Sequence, residues 1–398
     1  MNSNSLVDWL EYINLNRSEE GQFGLKRLEP IKDIILDSPI AKKVVVIGGT
    51  NGKGTTAEFL NNLLLQSDFK VGLYTSPHLF NFNERIRING LPVSDLDIIN
   101  AFREIEEIKG DVRLTYFDYA TIASFILFKK NSIDVAILEI GLGGRYDPVN
   151  LLDSDISILT NVELDHQKWL GNTREEIGEE KSAIFREGKT IIMGTAEMPE
   201  TVLQKAEALN SKTLQLGLDF FEDEINTNNL NMESAACSVA AYKEITNQQI
   251  NYKEILEKTS LLGRCDVKGR FILDVSHNLA SVRNLVSFIN KECKGKSIKA
   301  IVGLMQDKDI TGIIKEIKHL ISEWYACSPN IDRAMPSAYL KELILKETLS
   351  KAEAFESVDL AVKEAVKEDS TDIVIVFGSF FTVSEAYESL SKLKQIDL

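Results

Sequence analysis

The stretch VVVIGGTNGKGTT, residues 44–56, begins as four branched apolar residues and then breaks into glycines around a single lysine. A helical pattern, TAEFLNNLLLQ, begins at the last residue of this stretch. An order of strand, glycine loop and helix lets backbone N–H groups converge on phosphate oxygens, with the positive end of the helix directed at them. Lys53 can then reach the terminal phosphates, and Thr55 or Thr56 can supply a hydroxyl. The stretch therefore predicts a nucleotide phosphate site, against the alternative of a simple tight turn.

The loop departs from the common phosphate-binding pattern GxxxxGK[ST]. Ile47 stands where the first glycine of that pattern belongs, and Gly54 follows the lysine. A glycine turn after a strand arises often by chance, whereas a lysine between two glycines at the start of a helix does not. The lysine between two glycines at the start of a helix therefore still predicts phosphate binding, although the loop departs from the common pattern.

The bulk composition limits the classes of function. A chain of 398 residues is too long for one ordinary core, which predicts two domains. The net charge of −15 argues against broad binding to nucleic acid or to an anionic membrane. Four scattered cysteines indicate free thiols in a reducing compartment, and neither a secretion signal nor an apolar run of ~20 residues is present. We therefore expect a cytoplasmic monomer that acts on small molecules, without nucleic acid or membrane partners.

Short β-branched runs alternate with amphipathic stretches along the chain. After the opening strand come the runs KVGLYTS, DVAILEIG, DISILTN and TIIMG. Helical material such as TREEIGEEKSAIF separates them, and Thr173 with Glu176 predicts a capping box at its start. This alternation is typical of a parallel sheet with helices on its faces, in which ligands bind at the carboxyl ends of the strands. We predict an α/β fold whose first domain is a mainly parallel-sheet P-loop ATPase domain.

A second set of alternating runs begins near residue 270. Its strands are predicted in FILDVSH, KAIVGLM, EWYACS and DIVIVFGS, with helical stretches between them. An acidic, Asn-rich and aperiodic segment, residues 217–237, lies between the two sets. We therefore expect a domain over residues 1–262 and a smaller, Rossmann-like α/β domain over residues 263–398.

Polar residues at predicted strand ends suggest a metal site. Of the four histidines, His78, His166 and His277 lie in polar clusters at such ends. Glu139 lies within an apolar strand, where a charge is costly unless it is paired or binds a metal. Ser76, Glu139 and His166 could together offer two oxygens and one nitrogen. Because magnesium prefers oxygen ligands, chemistry alone leaves the role of His166 open.

Beyond these local patterns, a series of motifs resembles a known family. In order, they are GTNGKGTT, TSPHL, ERIRING, LTYFDY, LEIGLGGRYDPVN, LDHQKWLG, EEKSAIFREGK, DVSHN, GLMQDKD and VFGSF. They are similar to the folylpolyglutamate synthase family of the Mur-ligase superfamily, and most to its bifunctional dihydrofolate synthase/folylpolyglutamate synthase type. The resemblance implies ATP and Mg²⁺ as cofactors and an amide ligation. In this reaction ATP phosphorylates the carboxylate of dihydropteroate or a folate, and the amine of L-glutamate attacks the acyl phosphate.

The resemblance carries roles onto individual positions of this chain. Those matching ATP contacts are Gly52, Lys53, Gly54, Thr55, Ser234, Arg264 and Asp274. Those matching magnesium ligands are Ser76, Glu139 and His166, which favours metal binding by the histidine. Those matching the pterin pocket are Thr115, Tyr116, Phe117, Asp118, Tyr146, Asp147 and Pro148. Those matching catalytic positions are Lys53, Lys181 and His277, the last beside Asn278 at the reaction cleft. An aromatic ring of the pocket can stack on the flat pterin, although for Tyr116 core packing is expected.

Lys181 is the most specific of these predictions. The residues three and four positions away along its helix are Ile177, Gly178, Ile184 and Phe185, so no acid lies one helical turn away. Burial on such a face would lower the pKa of the lysine and expose a neutral amine. The resemblance implies that this amine carries a carbamate, which turns the cation into an anion able to position a second magnesium.

The chain also departs from the family pattern. Asp118 stands where a glutamate is usual, and Ser234 where an asparagine commonly contacts adenine. Cys265 replaces a phenylalanine, and Leu279 follows HN where proline is typical. Two alternatives are a Mur-type ligase acting on another carboxylate, such as a cell-wall nucleotide precursor, and a phosphate-loop ATPase with a non-ligase role. ATPase activity independent of glutamate and pterin would distinguish the second.

Overall fold

The computed structural model of the protein describes residues 3–16, 24–221, 232–259, 261–367 and 372–396. The chain divides into two compact units, Met1–Thr259 and Ser260–Leu398, and the division falls close to the boundary expected after residue 262. Of the aperiodic segment noted in the sequence, residues 222–231 lie outside the described residues. Within those residues no helix is long and apolar enough to cross a membrane.

The described residues of the N-terminal unit alternate between strands and helices. The strands are β1 Ala41–Gly48, β2 Val71–Tyr74, β3 Ile86–Ile88, β4 Leu91–Pro92, β5 Ile133–Glu139, β6 Ile156–Leu159, β7 Thr190–Met193 and β8 Lys212–Gln215. The helices are α1 Leu6–Asn16, α2 Glu29–Ile35, α3 Lys53–Leu65, α4 Asp95–Ile108, α5 Tyr116–Lys130, α6 Gln167–Leu170, α7 Arg174–Lys181, α8 Glu200–Ala208, α9 Met232–Thr246 and α10 Tyr252–Lys258.

The eight strands form one sheet in the order β4-β3-β2-β5-β1-β6-β7-β8. All neighbours from β2 to β8 pair in parallel, and only the β2–β3 and β3–β4 pairs are antiparallel. Strand β1 lies between β5 and β6, so the chain leaves it towards one side of the sheet and later returns on the other. Such a switch point opens a crevice at the carboxyl ends of the strands, where the glycine loop lies.

The burial of β1 explains its unbroken apolar run. Val44 and Val46 belong to one hydrophobic cluster, and Val45 and Ile47 belong to another. Because successive side chains of a strand point to opposite faces, both faces of the sheet at β1 are covered. The part of the strand that is covered on both sides, residues 44–47, needs an apolar residue at every position, and the sequence has four there.

The C-terminal unit is a second, smaller α/β layer. Its strands are β9 Asp266–Lys268, β10 Phe271–Asp274, β11 Ile298–Val302, β12 Glu323–Cys327, β13 Lys351–Phe355 and β14 Ile373–Phe377. Its helices are α11 Leu279–Glu292, α12 Ile310–Ile317, α13 Ser337–Glu347, α14 Val358–Lys367 and α15 Phe380–Lys392. The sheet order is β13-β12-β11-β14-β10-β9, parallel except for the β9–β10 pair. The predicted α/β class, with a mainly parallel sheet and a smaller second α/β domain, is confirmed.

Helix α7 differs in detail from its predicted form. Thr173 is its N-cap and accepts the N–H of Glu176 at 3.2 Å, as predicted. The Glu176 carboxylate, however, accepts the N–H of Asn172 at 2.6 Å, so the reciprocal half of the capping box goes to the preceding residue. The helix ends at Lys181 and tightens into a 3₁₀ turn over Ser182–Ile184, which closes the end of the helix that carries Lys181.

Candidate active site

The glycine loop between β1 and α3 has a backbone shape that only glycine adopts readily. Gly49 and Gly52 have φ angles of 141° and 83°. A Cβ on Gly49 would overlap the hydroxyl of Thr160, and one on Gly52 would lie 2.8 Å from the hydroxyl of Ser234. Both glycines are therefore required by conformation and by space, which is typical of a loop that a phosphate approaches closely.

The end of β6 holds this loop in place. The N–H groups of Thr50 and Asn51 donate to the backbone oxygen and to Oδ1 of Asn161, at 3.0 and 2.9 Å. The hydroxyl of Thr160 donates to the Asn51 carbonyl at 2.6 Å. Three hydrogen bonds to one neighbouring strand end thus fix the loop before any ligand binds.

Ser234, at the start of α9, lies next to the same loop. Its hydroxyl is 3.4 Å from the Gly52 carbonyl oxygen. A small cleft beside the loop is lined by Asn51, Gly52, Thr160, Ser234 and Cys237, among others. The structure therefore places this predicted nucleotide contact against the predicted phosphate loop, although 182 residues separate it from Gly52 in sequence.

Two lysine amines converge on one carbonyl of the loop. Lys53 Nζ donates to the Gly49 oxygen at 3.1 Å and to the Thr50 oxygen at 3.2 Å. Lys181 Nζ donates to the same Gly49 oxygen at 2.9 Å. Two amine groups therefore meet the loop at the site where the sequence predicts phosphate.

Lys181 is buried at the end of α7, with 5% of its surface exposed. Burial, together with the positive charge of Lys53, lowers the pKa of the Lys181 ammonium from its ordinary 10.5 to about 7. A neutral amine is therefore well populated near neutral pH. Lys181 is buried, as its apolar neighbours along the helix predict.

Glu139, the last residue of β5, is the carboxylate next to this loop. It is buried, and its Oε2 accepts the N–H of Ser76 at 3.1 Å. Gly54 packs against it, since a Cβ there would lie 3.5 Å from Oε2. A buried carboxylate hydrogen-bonded to the backbone of a serine brings two residues with oxygen-bearing side chains together, and oxygen ligands suit Mg²⁺.

His166 is placed differently from the other two predicted metal ligands. It precedes α6 in a left-handed conformation, with a φ of 51°, and its side chain is exposed. Its Nε2 lies 4.0 Å from a carboxylate oxygen of Asp165. Among the residues that the structure describes, no group of three or more His, Cys, Asp or Glu side chains is arranged to hold a metal. The structure thus brings Ser76 and Glu139 together, and metal binding by His166 stays a prediction.

The predicted pterin strip opens helix α5. Thr115 is the N-cap and accepts the N–H of Asp118 at 3.0 Å, while Asp118 Oδ2 accepts the N–H of Thr115 at 2.7 Å. Asp118 is fully buried and also accepts two hydrogen bonds from Arg27, at 2.6 and 3.1 Å. Both carboxylate oxygens therefore have partners within the protein. The structure gives Asp118 a role in fixing the start of α5.

The two aromatic residues of the strip pack against the core. Tyr116 meets Phe82 edge-on at 5.8 Å, and burial raises the pKa of its phenol. Phe117 lies 6.0 Å from Tyr74 and covers Gly141, where a Cβ would lie 2.5 Å from the ring. Both rings are partly buried against the core, which is the packing expected for Tyr116, and stacking on a pterin stays a prediction.

The second predicted pterin strip lies after β5. Tyr146 is half exposed, whereas Asp147 is buried and caps the 3₁₀ turn that begins at Pro148. Asp147 accepts backbone N–H groups from Gly141, Leu142 and Val149, at 2.9–3.1 Å. Burial raises the pKa of Asp147 to about 7 even against these three donors. The carboxyl group therefore shapes the loop and can exchange a proton near neutral pH.

In the C-terminal unit, the predicted nucleotide contacts occupy the ends of β9 and β10. Asp274 is buried and accepts N–H groups from Cys265 and Ser276, at 2.8 and 2.9 Å. The guanidinium of Arg264 lies 5.3 Å from the centre of the Phe380 ring. Asp274 therefore organises the turn that carries Arg264, because it fixes the residue that follows the arginine.

His277 follows β10, and its orientation sets its tautomer. Its Nδ1 lies 2.9 Å from the carbonyl oxygen of Val275, which can only accept a hydrogen bond. Nδ1 therefore carries the proton in the neutral ring, and Nε2 is an acceptor. Asn278 caps α11 and accepts the N–H of Ser281 at 2.9 Å. This arrangement gives His277 a form suited to accept a proton.

Two arginines at the site were not found from the sequence. Arg27 pairs with Asp118, as described, and the side chain of Arg85 lies beside His78 and Phe82. Burial and Arg85 lower the pKa of His78 to about 4, so this imidazole is neutral. Arg27 belongs to none of the motifs found in the sequence. The ERIRING motif contains Arg85, but nothing in its spacing indicates which partner the side chain takes.

Comparison with known proteins identifies the family of this chain. The family model of the Mur ligase middle domain matches residues 47–268, and the model of the Mur ligase glutamate ligase domain matches residues 263–380. A dihydrofolate synthase/folylpolyglutamate synthase of Buchnera aphidicola is 38% identical over 364 residues, which cover 85% of this chain and 86% of the relative.

Two solved structures share the whole architecture. E. coli FolC in complex with DHPP and ADP has a TM-score of 0.93 and 31% identity, covering 99% of this chain and 100% of the other. A bifunctional folylpolyglutamate synthase/dihydrofolate synthase from Yersinia pestis, complexed with AMPPNP and a Mn ion, has a TM-score of 0.90 and 32% identity, covering 98% and 100%. The chain therefore belongs to the dihydrofolate synthase/folylpolyglutamate synthase family of the Mur ligases, as its sequence motifs predict.

Proposed function

We propose that this protein is an ATP-dependent amide ligase that adds L-glutamate to dihydropteroate and to reduced folates. The relatives carry both activities in their names, and the match to a glutamate ligase domain favours a ligase over a phosphate-loop ATPase. The observation that carries the proposal is the convergence of the Lys53 and Lys181 amines on the Gly49 carbonyl, in the loop beside Glu139. This arrangement suits transfer of a phosphoryl group to a carboxylate.

The glycine loop binds the phosphates of ATP. The loop and the first turn of α3 offer backbone N–H groups and the positive end of a helix to phosphate oxygens. On binding, Lys53 exchanges its contacts with the Gly49 and Thr50 carbonyls for the terminal phosphates. The ammonium then offsets the charge that develops on the transferred phosphoryl group. Gly52, Gly54 and Thr55 complete this cradle.

The reaction requires a phosphorylated carboxylate because a free carboxylate is a poor electrophile at neutral pH. A carboxylate oxygen of the pterin substrate attacks the γ-phosphorus, and ADP leaves. A bound Mg²⁺ supplies charge neutralisation for the phosphates, with Glu139, Ser76 and His166 as its proposed holders. The aromatic face of Phe117 and the loop that Asp147 shapes orient the pterin.

The second half of the reaction forms the amide. The glutamate amine attacks the acyl carbon, phosphate leaves, and the amine loses a proton. His277 is the proposed acceptor for that proton, because its Nδ1–H is held by Val275 and its Nε2 accepts. Arg264 and Ser234 are proposed nucleotide contacts, with Asp274 holding the turn that positions Arg264.

We further propose that Lys181 is carbamylated. Its neutral amine attacks carbon dioxide and releases one proton, which gives a carbamate anion. The burial and the lowered pKa of Lys181 favour the amine form that this step needs. Carbon-13 bicarbonate should give a carbamate NMR signal in the wild type that Lys181→Ala lacks. Short carboxylic acids should partly restore the activity of that variant, and near-normal activity without rescue would refute the modification.

One assay tests the overall proposal. Phosphate release from ATP–Mg is measured with dihydropteroate, a reduced folate and glutamate, added singly and together. We expect release only when glutamate and one of the two pterin substrates are both present. Equal release without them indicates a phosphate-loop ATPase, and release with a folate but never with dihydropteroate indicates a monofunctional ligase. Turnover only with an unrelated carboxylate indicates another Mur-type ligase.

The chain is also proposed to act as a cytoplasmic monomer without nucleic acid or membrane partners. Its net charge of −15 disfavours binding to nucleic acid and to anionic membranes, which are both negatively charged. Its four cysteines are free thiols, which is typical of proteins in a reducing compartment. Light scattering during gel filtration measures the mass directly. A mass near 44.6 kDa supports a monomer, and twice that value contradicts it.

A further inference from the structure

The guanidinium of Arg85 is buried without a carboxylate partner. Arg85 is 8% exposed, and no Asp or Glu oxygen of the described residues lies within 4.0 Å of it. Its Nε donates to Nδ1 of His78 at 2.8 Å, so that ring accepts the hydrogen bond and brings no negative charge. The neighbouring acid, Glu84, directs its oxygens to backbone N–H groups of residues 79–81. The positive charge is therefore not neutralised locally.

Two aromatic rings hold the guanidinium in place. Its central carbon lies 5.7 Å from the centre of the Phe82 ring and 5.5 Å from that of Tyr116. Such contacts offset part of the unfavourable burial of a charge but do not replace an anion. Neither Nη1 nor Nη2 donates a hydrogen bond to a described residue. A fixed, planar guanidinium with both terminal nitrogens available is the arrangement that binds a carboxylate through two parallel hydrogen bonds.

The position of Arg85 indicates which carboxylate it meets. Its carbonyl accepts the N–H of Thr75 at 3.0 Å, which continues the antiparallel β2–β3 pairing by one residue. The next residue, Ser76, donates its N–H to Glu139. The Tyr116 ring, which contacts the guanidinium, belongs to the predicted pterin strip. Arg85 therefore contacts the pterin strip through its guanidinium, and its backbone adjoins the strand end that leads to the carboxylate proposed to hold the metal ion.

We propose that Arg85 binds the carboxylate of the pterin-bearing substrate and orients it for phosphorylation. This inference rests on the proposed ligase function and identifies the protein group that recognises the reacting end of that substrate. The glutamate substrate is not assigned to Arg85, because the aromatic contact with Tyr116 joins the guanidinium to the pterin side of the site. His78 acts as a positioning residue, since its Nδ1 fixes the rotation of the guanidinium through Nε.

The test separates recognition of the carboxylate from recognition of the rest of the substrate. Calorimetric titration, with the full chain and AMPPNP–Mg present, compares dihydropteroate with its uncharged carboxamide. We expect Arg85→Gln to weaken dihydropteroate binding about 10- to 100-fold, the range of a charge-assisted pair, and carboxamide binding less than about 3-fold. Arg85→Lys keeps the charge but loses the paired geometry, so its loss for dihydropteroate should be intermediate.

Arg87→Gln is the matched control two residues further along the chain, because the Arg87 guanidinium already pairs with Glu58. It should leave the affinity for both ligands within about 3-fold of the wild type, as expected for a residue without a ligand contact. Equal losses for acid and carboxamide in Arg85→Gln and Arg85→Lys would overturn the assignment, as would unchanged dihydropteroate affinity. A wild type that binds neither ligand would instead overturn the proposed ligase function. Far-UV circular dichroism identifies a variant that is unfolded, and the Lys variant then decides.

Discussion

Replacement of Lys181 by methionine tests how much stability the burial of its protonated amine costs. The pKa falls from 10.5 to about 7, so burial of the protonated form costs about 5 kcal/mol at 1.36 kcal/mol per pH unit. Between pH 7 and 10.5 the unfolded chain binds more protons than the folded chain at this residue. The free energy of unfolding of the wild type should therefore rise with pH in that window, by about 1.4 kcal/mol per pH unit from this group. Below pH 7 both states are protonated, and the full cost remains.

Methionine has a similar length but no ionisable group, so this rise should disappear. The Gly49 carbonyl keeps a donor, because Lys53 Nζ lies 3.1 Å from it. Urea unfolding at pH 7 and 9 in carbon dioxide-free buffer measures the difference between wild type and Lys181→Met. Tryptophan fluorescence in a Trp324→Phe background reports on the N-terminal unit, which holds the remaining tryptophans. We expect that difference to shift by about 2.3 kcal/mol in favour of the wild type between pH 7, where the folded amine is already half titrated, and pH 9.

A difference between the two proteins that does not change with pH would refute the reasoning, since the amine would then titrate alike in both states. A second arm adds bicarbonate at pH 8. If the carbamate forms only in the folded protein, bicarbonate stabilises the wild type by mass action and leaves Lys181→Met unchanged. Stabilisation of both proteins to the same extent would contradict a carbamate at this residue.

Three further predictions address the loop and the pterin strip. Lys53→Ala should lower kcat/KM at least about 100-fold with an unchanged circular dichroism spectrum, whereas the exposed Lys42→Ala should not; a loss under tenfold contradicts the role. Asp118→Ala leaves its arginine partner unpaired and should cost about 3 kcal/mol of stability. It should also impair turnover of dihydropteroate more than of a folate, and equal losses would limit Asp118 to stability. In Gly49→Ala the new Cβ would overlap the Thr160 hydroxyl, and the φ of 141° is strained for alanine, so the variant should lose about 2 kcal/mol of stability. It should also bind ADP more weakly in a titration, and unchanged affinity would show that the loop adapts.

The sequence determines the parts of this protein that arise from local patterns. The apolar run of β1 reflects burial on both faces, and the glycines after it reflect backbone angles that few other residues adopt. The apolar neighbours of Lys181 at helical spacing predict its burial before any tertiary contact is known. Each of these inferences uses residues within about one or two turns of structure, where period and conformational preference act directly.

Partner choice across long sequence separations is decided only by the tertiary structure. Arg27 meets Asp118 across 91 residues, and Lys181 Nζ reaches the Gly49 carbonyl across 132. No periodicity links such pairs, because they depend on which strands lie side by side at the switch point. The lack of a carboxylate beside Arg85, among the residues that the structure describes, is likewise a property of the packed surface, since Glu84 is its neighbour in sequence yet turns to the backbone. Local sequence thus determines the secondary structure and the burial of individual side chains, and the order of the strands decides which charged side chains contact one another.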